Sequence, residues 1–156
     1  MFIMANDARF EDAYSNPIRL EALDAEDLQV ISTLCQDAIV LGQDISWQIS
    51  KRRLTFLLNR FRWEEHSGEP ERVRSLLIFN DVKKVSSKAI LRGDVSNIYS
   101  LLSLEFELDD EVSGHFTIIF ADEALISISA ECLNVKLQDV TRPYKSPSGQ
   151  KPKHEE

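Results

Sequence analysis

The sequence predicts an α+β fold, mainly antiparallel β, in which about seven strands make a curled sheet or barrel-like roll with one N-terminal helix. Three observations lead there. One segment near the start carries apolar residues at spacings of three and four, most of the chain after Gly42 has period two, and short turn-forming stretches separate the period-two runs. The chain has 156 residues, 43% of them hydrophobic and 28% charged. That is enough for one domain with a core that needs no disulfide staples.

The helix is the clearest element. Asp24 is a natural N-cap, and Glu26 and Asp27 place negative charge in the first turn, where the helix dipole favours it. Leu28, Ile31, Leu34, Cys35 and Ala38 then share one face, which predicts a helix from about Ala25 to Asp37 that covers the sheet. Residues 1–17 read as a flexible arm, 18–140 as the folded domain, and 141–156 as a disordered tail rich in Pro and Lys.

Strands follow from Ile45. Ile45, Trp47 and Ile49 share a face, Lys51-Arg52 suits a turn, and Leu54, Phe56 and Leu58 share the next face. The phase then flips, since Phe61 and Trp63 are apolar while Arg60 and Arg62 are polar, and a β-bulge is the expected cause. A loop over Glu64–Glu71, a strand over Val73–Phe79, a turn at Asn80-Asp81 and a weaker strand over Val82–Leu91 come next. Leu102 to Leu108 alternates cleanly, Asp109–Gly114 is a loop, Phe116, Ile118 and Phe120 share a face, and Ala121-Asp122-Glu123 turns the chain. Ile126 to Leu137 shows a second flip and reads as one long bulged strand. The competing reading makes a helix from Ala130, which would give a pleckstrin-homology-like barrel with a C-terminal helix.

Charge is sorted along the chain. Lys51–Arg92 holds 11 Lys+Arg against 5 Asp+Glu, a net of +6, while Gly93–Val140 holds Lys136 against 10 acids, a net of −9. The whole chain is at −8, with a pI near 4.9. That balance argues against nucleic acid and against an anionic membrane as partners. No run approaches the roughly 20 apolar residues of a membrane span. The two cysteines, Cys35 and Cys132, lie among apolar residues, and a reducing cytoplasm fits them.

No cofactor or metal is implied, and no catalytic residue is singled out. His66, His115 and His154 have no helical i,i+4 partner and no CxxC neighbour, and the phosphate-cradling glycine motifs are missing. Asp109, Asp110 and Glu111 lack the alternating ligand positions of a calcium loop and read as a solvated turn. The densest segment is Arg60-Phe61-Arg62-Trp63-Glu64. Arginine with aromatic residues is the composition of a binding hot spot, so Arg60, Arg62, Trp63 and Glu64, with Arg72 and Arg74 on the next strand, are the candidate binding residues. The plainer reading pairs Arg60 and Arg62 across strands with Glu105 and Glu107, which have the same period-two spacing.

Some of these runs resemble a known family. Arg19-Leu20 with Ala22, Asp24–Leu28, Ile31-Ser32 and Gln36–Ile39 resemble the opening of an uncharacterised alphaproteobacterial family, domain of unknown function 2948. Leu58–Glu64 and Glu71–Ser75 look like its central signature, and Glu131-Cys132 and Leu137–Val140 like its end. The resemblance spans about residues 19–140. It implies a bacterial, cytoplasmic setting and supplies no catalytic residues.

The expected function is that of a small non-enzymatic binding or interaction protein with a basic face on an acidic chain. Its partner would be an acidic protein or a second copy of itself. The alternative is a small acid–base enzyme with a carboxylate and an Arg in a barrel mouth.

Overall fold

The computed structural model describes residues 16–66, 68–90, 96–149 and 151–152. Strand β1 (Arg19–Ala22) leads into helix α1 (Ala25–Leu34). The Asp24 side chain accepts a hydrogen bond from the Asp27 amide at 2.8 Å, so the predicted cap is in place. The helix ends at Leu34, with Cys35 as its C-cap, and cannot run to Asp37, because Asp37 takes a left-handed backbone (φ 64°) that α-helix excludes. Leu28, Ile31 and Leu34 are buried, as the period requires.

Nine further strands follow: β2 (Ile39–Gln48), β3 (Arg53–Phe61), β4 (Glu71–Phe79), β5 (Val82–Lys88), β6 (Ile98–Leu108), β7 (Gly114–Phe120), β8 (Leu125–Ala130), β9 (Val135–Asp139) and β10 (Tyr144–Lys145). All pair antiparallel, in the order β1-β9-β4-β3-β2-β6-β7-β8-β5, with β10 on the start of β4. The sheet is curled and not closed, with β1 and β5 as its free ends.

The curl is visible in the core. Phe79 of β4 meets Phe116 of β7 at 5.1 Å, edge to face, and Phe56 of β3 meets Phe120 of β7 at 6.4 Å. The two halves of the sheet, β1-β9-β4-β3-β2 and β6-β7-β8-β5, therefore close on one apolar interior. Helix α1 packs on β1 and β6 and covers the side the sheet leaves open.

The strand count is ten rather than seven, and the differences have local causes. β1 and β10 have four and two residues, too short for a periodic signal. The sequence places the first strand at Ile45, yet β2 starts at Ile39, and its register shifts between Val40 and Ile45, a bulge with Gly42 inside it. Residues 126–137 do not form one bulged strand. Glu131–Asn134 breaks the run and carries the chain from β8 in one half of the sheet to β9 in the other. The C-terminal helix of the barrel alternative is absent among the described residues, since Val135–Asp139 pairs with both β4 and β1. Beyond residue 140, where a disordered tail is expected, Tyr144–Lys145 pairs with Arg72 and Glu71, and Ser146 is buried. The arm over residues 1–15 and the strand end at Leu91 lie outside the described residues.

Candidate functional site

The phase flip at Arg60 is not a bulge. β3 and β4 stay in register from Leu54↔Phe79 to Phe61↔Arg72, so Arg60 shares the inner face with Leu54, Phe56 and Leu58. Its side chain is 0% exposed. Every donor of the guanidinium is engaged. Nε donates to Ser75 Oγ at 3.1 Å and Asp139 Oδ1 at 3.2 Å. Nη1 donates to Glu64 Oε1 at 2.9 Å and the Phe61 carbonyl at 3.3 Å. Nη2 donates to Glu64 Oε2 at 2.8 Å and to both Asp139 oxygens at 3.0 and 3.1 Å. Asp139 also accepts from Ser75 Oγ at 2.6 Å and from the Ile18 amide at 2.9 Å.

This network ties β3, β4, β9 and the residue before β1 together. Burial works to lower the Arg60 pKa, but the hydrogen bonds that Arg60 donates to Glu64 and the charges of Asp139 and Glu64 outweigh it and raise it. Burial likewise works to raise the Glu64 carboxyl, and the Arg60 hydrogen bond and charge hold it below its ordinary range. Buried Cys35 lies within reach of the same charges. Desolvation pushes its thiol up to about 12, against a smaller pull from Arg60, and so favours the protonated thiol.

Arg62 is also buried. Nη1 donates to Glu71 Oε1 at 2.8 Å, and Nε lies 3.8 Å from Glu64 Oε2. The acids that hold Arg60 and Arg62 are therefore Glu64, Glu71 and Asp139, not Glu105 and Glu107. The two latter side chains stand exposed on β6, in the other half of the sheet. Trp63 donates its indole N–H to the Gln36 carbonyl at 2.9 Å and packs edge-on against Phe61 at 4.7 Å.

Arg72 and Arg74 face the other way. Opposed residues of an antiparallel pair share a face. The registers Asn59↔Arg74, Phe61↔Arg72, Ile78↔Lys136, Glu21↔Lys136 and Arg19↔Gln138 place Arg19, Arg53, Arg72, Arg74 and Lys136 on the outside of β1-β9-β4-β3. Glu21 is the acid among those outward positions, and half-buried Leu57, Leu76 and Ile78 lie between the cations. Sequence reading names Arg72 and Arg74 in this set. It misses Arg53, on β3 itself, Lys136, on β9 far from β4 in sequence, and Arg19, on β1, which reaches β4 only through β9.

A cleft of about 660 Å³ opens where several elements end. Asp37 of the turn after α1, Arg72 at the start of β4, Tyr99 of β6, Asp122 of the β7–β8 turn and Lys151 of the tail line it. The Lys151 ammonium lies 5.3 Å from the Trp63 ring centroid, a cation–π contact. No short motif marks Asp37, Asp122 and Lys151, because the fold alone brings them together. A second, apolar cleft of about 550 Å³ lies between the Leu23–Ala25 corner and the β6–β7 hairpin.

The family described as Protein of unknown function (DUF2948) matches residues 18–154. The chain belongs to this family. The match runs past Val140 through β10 and the tail residues of the cleft, so the DUF2948 unit includes them. No curated protein and no solved structure matches the chain.

Other candidate groups in this DUF2948 domain are accounted for locally. Among the described residues no three His, Cys, Asp or Glu side chains form a metal-binding group. His115 Nδ1 lies 2.8 Å from Asp109 Oδ1, His66 is exposed, and His154 lies outside the described residues. Asp110 accepts hydrogen bonds from the Ser113 hydroxyl and from the Val112 and Ser113 amides, which lowers its pKa to about 2 and makes the acidic run a self-bonded turn. Cys35 and Cys132 are both free thiols. No helix among the described residues is long and apolar enough to cross a membrane.

Proposed function

We propose that the protein is a small non-enzymatic binding protein whose basic outer sheet face docks an acidic segment of a partner protein. One observation carries the reading: Arg19, Arg53, Arg72, Arg74 and Lys136 share that face with Glu21 on a chain of net charge −8. The half-buried Leu57, Leu76 and Ile78 supply apolar area between the cations, and arginine amid such area is what acidic partners recognise. Arg60, Arg62 and Glu64 act behind this face, by fixing the strands that present it. The competing occupant is a second copy, which would bring Glu105 and Glu107 to the same cations.

The test is affinity capture at low and high salt, with wild type beside Arg74→Ala/Lys136→Ala, followed by direct binding of whatever is captured. A partner that binds wild type, weakens in high salt and ignores the double variant supports the reading. Capture that the variant leaves unchanged overturns it. A salt-sensitive dimer of the wild type in sedimentation, absent in the variant, would assign the face to self-association instead.

The second reading is a small acid–base enzyme with a carboxylate and an arginine in a barrel mouth. What favours it is the cleft that gathers Asp37, Asp122 and Arg72.

A further inference from the structure

Beyond the docking face, with which it shares Arg72 alone, we propose that the cleft at the end of the roll binds a small amphoteric ligand of the free amino-acid type. Its volume of about 660 Å³ falls in the range of small-molecule sites. Its walls carry both signs of charge: Arg72 and Lys151 are the cations, Asp37 and Asp122 the carboxylates, and Ile39 and Ile98 give an apolar flank.

The two cations are held by neutral groups. Arg72 Nη1 donates to the Asn59 carbonyl at 3.2 Å, and Lys151 sits against the Trp63 ring. Among the described residues neither has a carboxylate at ion-pair distance, whereas Arg52, Arg60, Arg62 and Lys145 each have one. Among the described residues, the contacts that fix Arg72 and Lys151 thus pair neither charge with a carboxylate within 4 Å. Arg72 in particular offers a planar fork suited to a carboxylate.

The acid side of the wall selects against the simplest ligand. A phosphate or a dicarboxylate would meet Asp122 as well as the cations, and like charges repel. A molecule with one carboxylate and one ammonium sets its carboxylate against Arg72 and Lys151 and its ammonium against Asp122, while Asp37 already has a partner of its own. Asp37 and Asp122 each take a left-handed backbone, with φ 64° and 63°. Backbone bonds fix both turns: the Asp37 amide donates to the Leu101 carbonyl at 2.8 Å, and the Ala121 amide to the Ser100 carbonyl at 2.9 Å. Each acid therefore sits on a turn that a backbone hydrogen bond ties to β6.

Calorimetric titration of the full chain with the free amino acids, one at a time, tests this, with inorganic phosphate and succinate as anion controls. At least one amino acid should bind saturably, and Arg72→Gln and Asp122→Asn should each weaken it by about tenfold or more. Arg74→Ala, outside the cleft, should leave it unchanged, which separates this site from the docking face. Should Arg72→Gln unfold, the exposed Asp122 decides alone. Three results would each overturn the inference: no amino acid bound at about 10 mM, a control anion bound more tightly than any of them, or binding indifferent to both variants.

Discussion

Arg60 and Arg74 lie one register step apart on β3 and β4, and they live in different worlds. Arg74 stands on the exposed outer face, opposite Asn59. Arg60 stands on the inner face, fully enclosed, with three acceptor side chains and a carbonyl around it. The same residue type therefore does two jobs a few ångströms apart. Inside, it joins strands. Outside, it gives an acidic protein a basic side. The comparison shows that charge sorted along a chain need not stay sorted in space, because period two deals alternate residues to opposite faces.

The inner member should be the fragile one. Asp139→Ala leaves buried Arg60 without one of its two carboxylates and should cost about 3–5 kcal/mol in urea denaturation. Replacing the pair together, Arg60→Met with Asp139→Leu, should cost less than Asp139→Ala alone, since no uncompensated charge remains. A single variant milder than the double would show that the network does not behave as a buried ion pair.

A smaller effect attaches to the rim of the network. Glu64→Gln should cost about 1–3 kcal/mol, the worth of charged hydrogen bonds at a group that is 25% exposed. Because the folded-state carboxyl is held below its ordinary value of 4.5, its contribution is fully present above that pH and is lost as pH falls through the lowered value. Acid melts should therefore show wild type losing stability below pH 4.5 more steeply than Glu64→Gln. Parallel curves would count against the Arg60–Glu64 coupling.

The outer member should be the quietest. Arg74→Ala and Lys136→Ala, exposed positions, should each stay within about 0.5 kcal/mol of wild type, while together they remove salt-sensitive partner binding. A large loss of stability in either would mean that the face is part of the fold.

The same contrast explains what was legible in the sequence. The helix, its cap and the turns at Lys51-Arg52, Asn80-Asp81 and Asp122-Glu123 were readable, because each rests on neighbours in the chain. Arg52, Asp81, Asp122 and Glu123 all take left-handed backbone there. Arg60 was misread because period two treats a charged residue as outward. Nothing local says that Asp139, 79 residues on, waits inside. Phe61 completed the illusion, an outward residue made buried by Trp63. The break at Glu131–Asn134 mimicked a bulge, since a strand that changes layers also changes phase. The candidate site was half legible: Arg72 and Arg74 through residue type, Arg19, Arg53, Lys136 and the cleft only through the topology.

The placement of β1 also bears on how the protein is made. β1 pairs with β9, and the Ile18 amide bonds the Asp139 carboxylate across 121 residues. A ribosome adding about 5–20 residues per second exposes β1 on the order of ten seconds before its partner exists. Throughout that interval Leu20 and Ala22, both buried in the finished fold, have no strand to pair with. β1 can join the sheet only after β9 has emerged. Folding should therefore be a late, cooperative event, slow for the chain's size, because the pairing of β1 with β9 spans most of the folded residues.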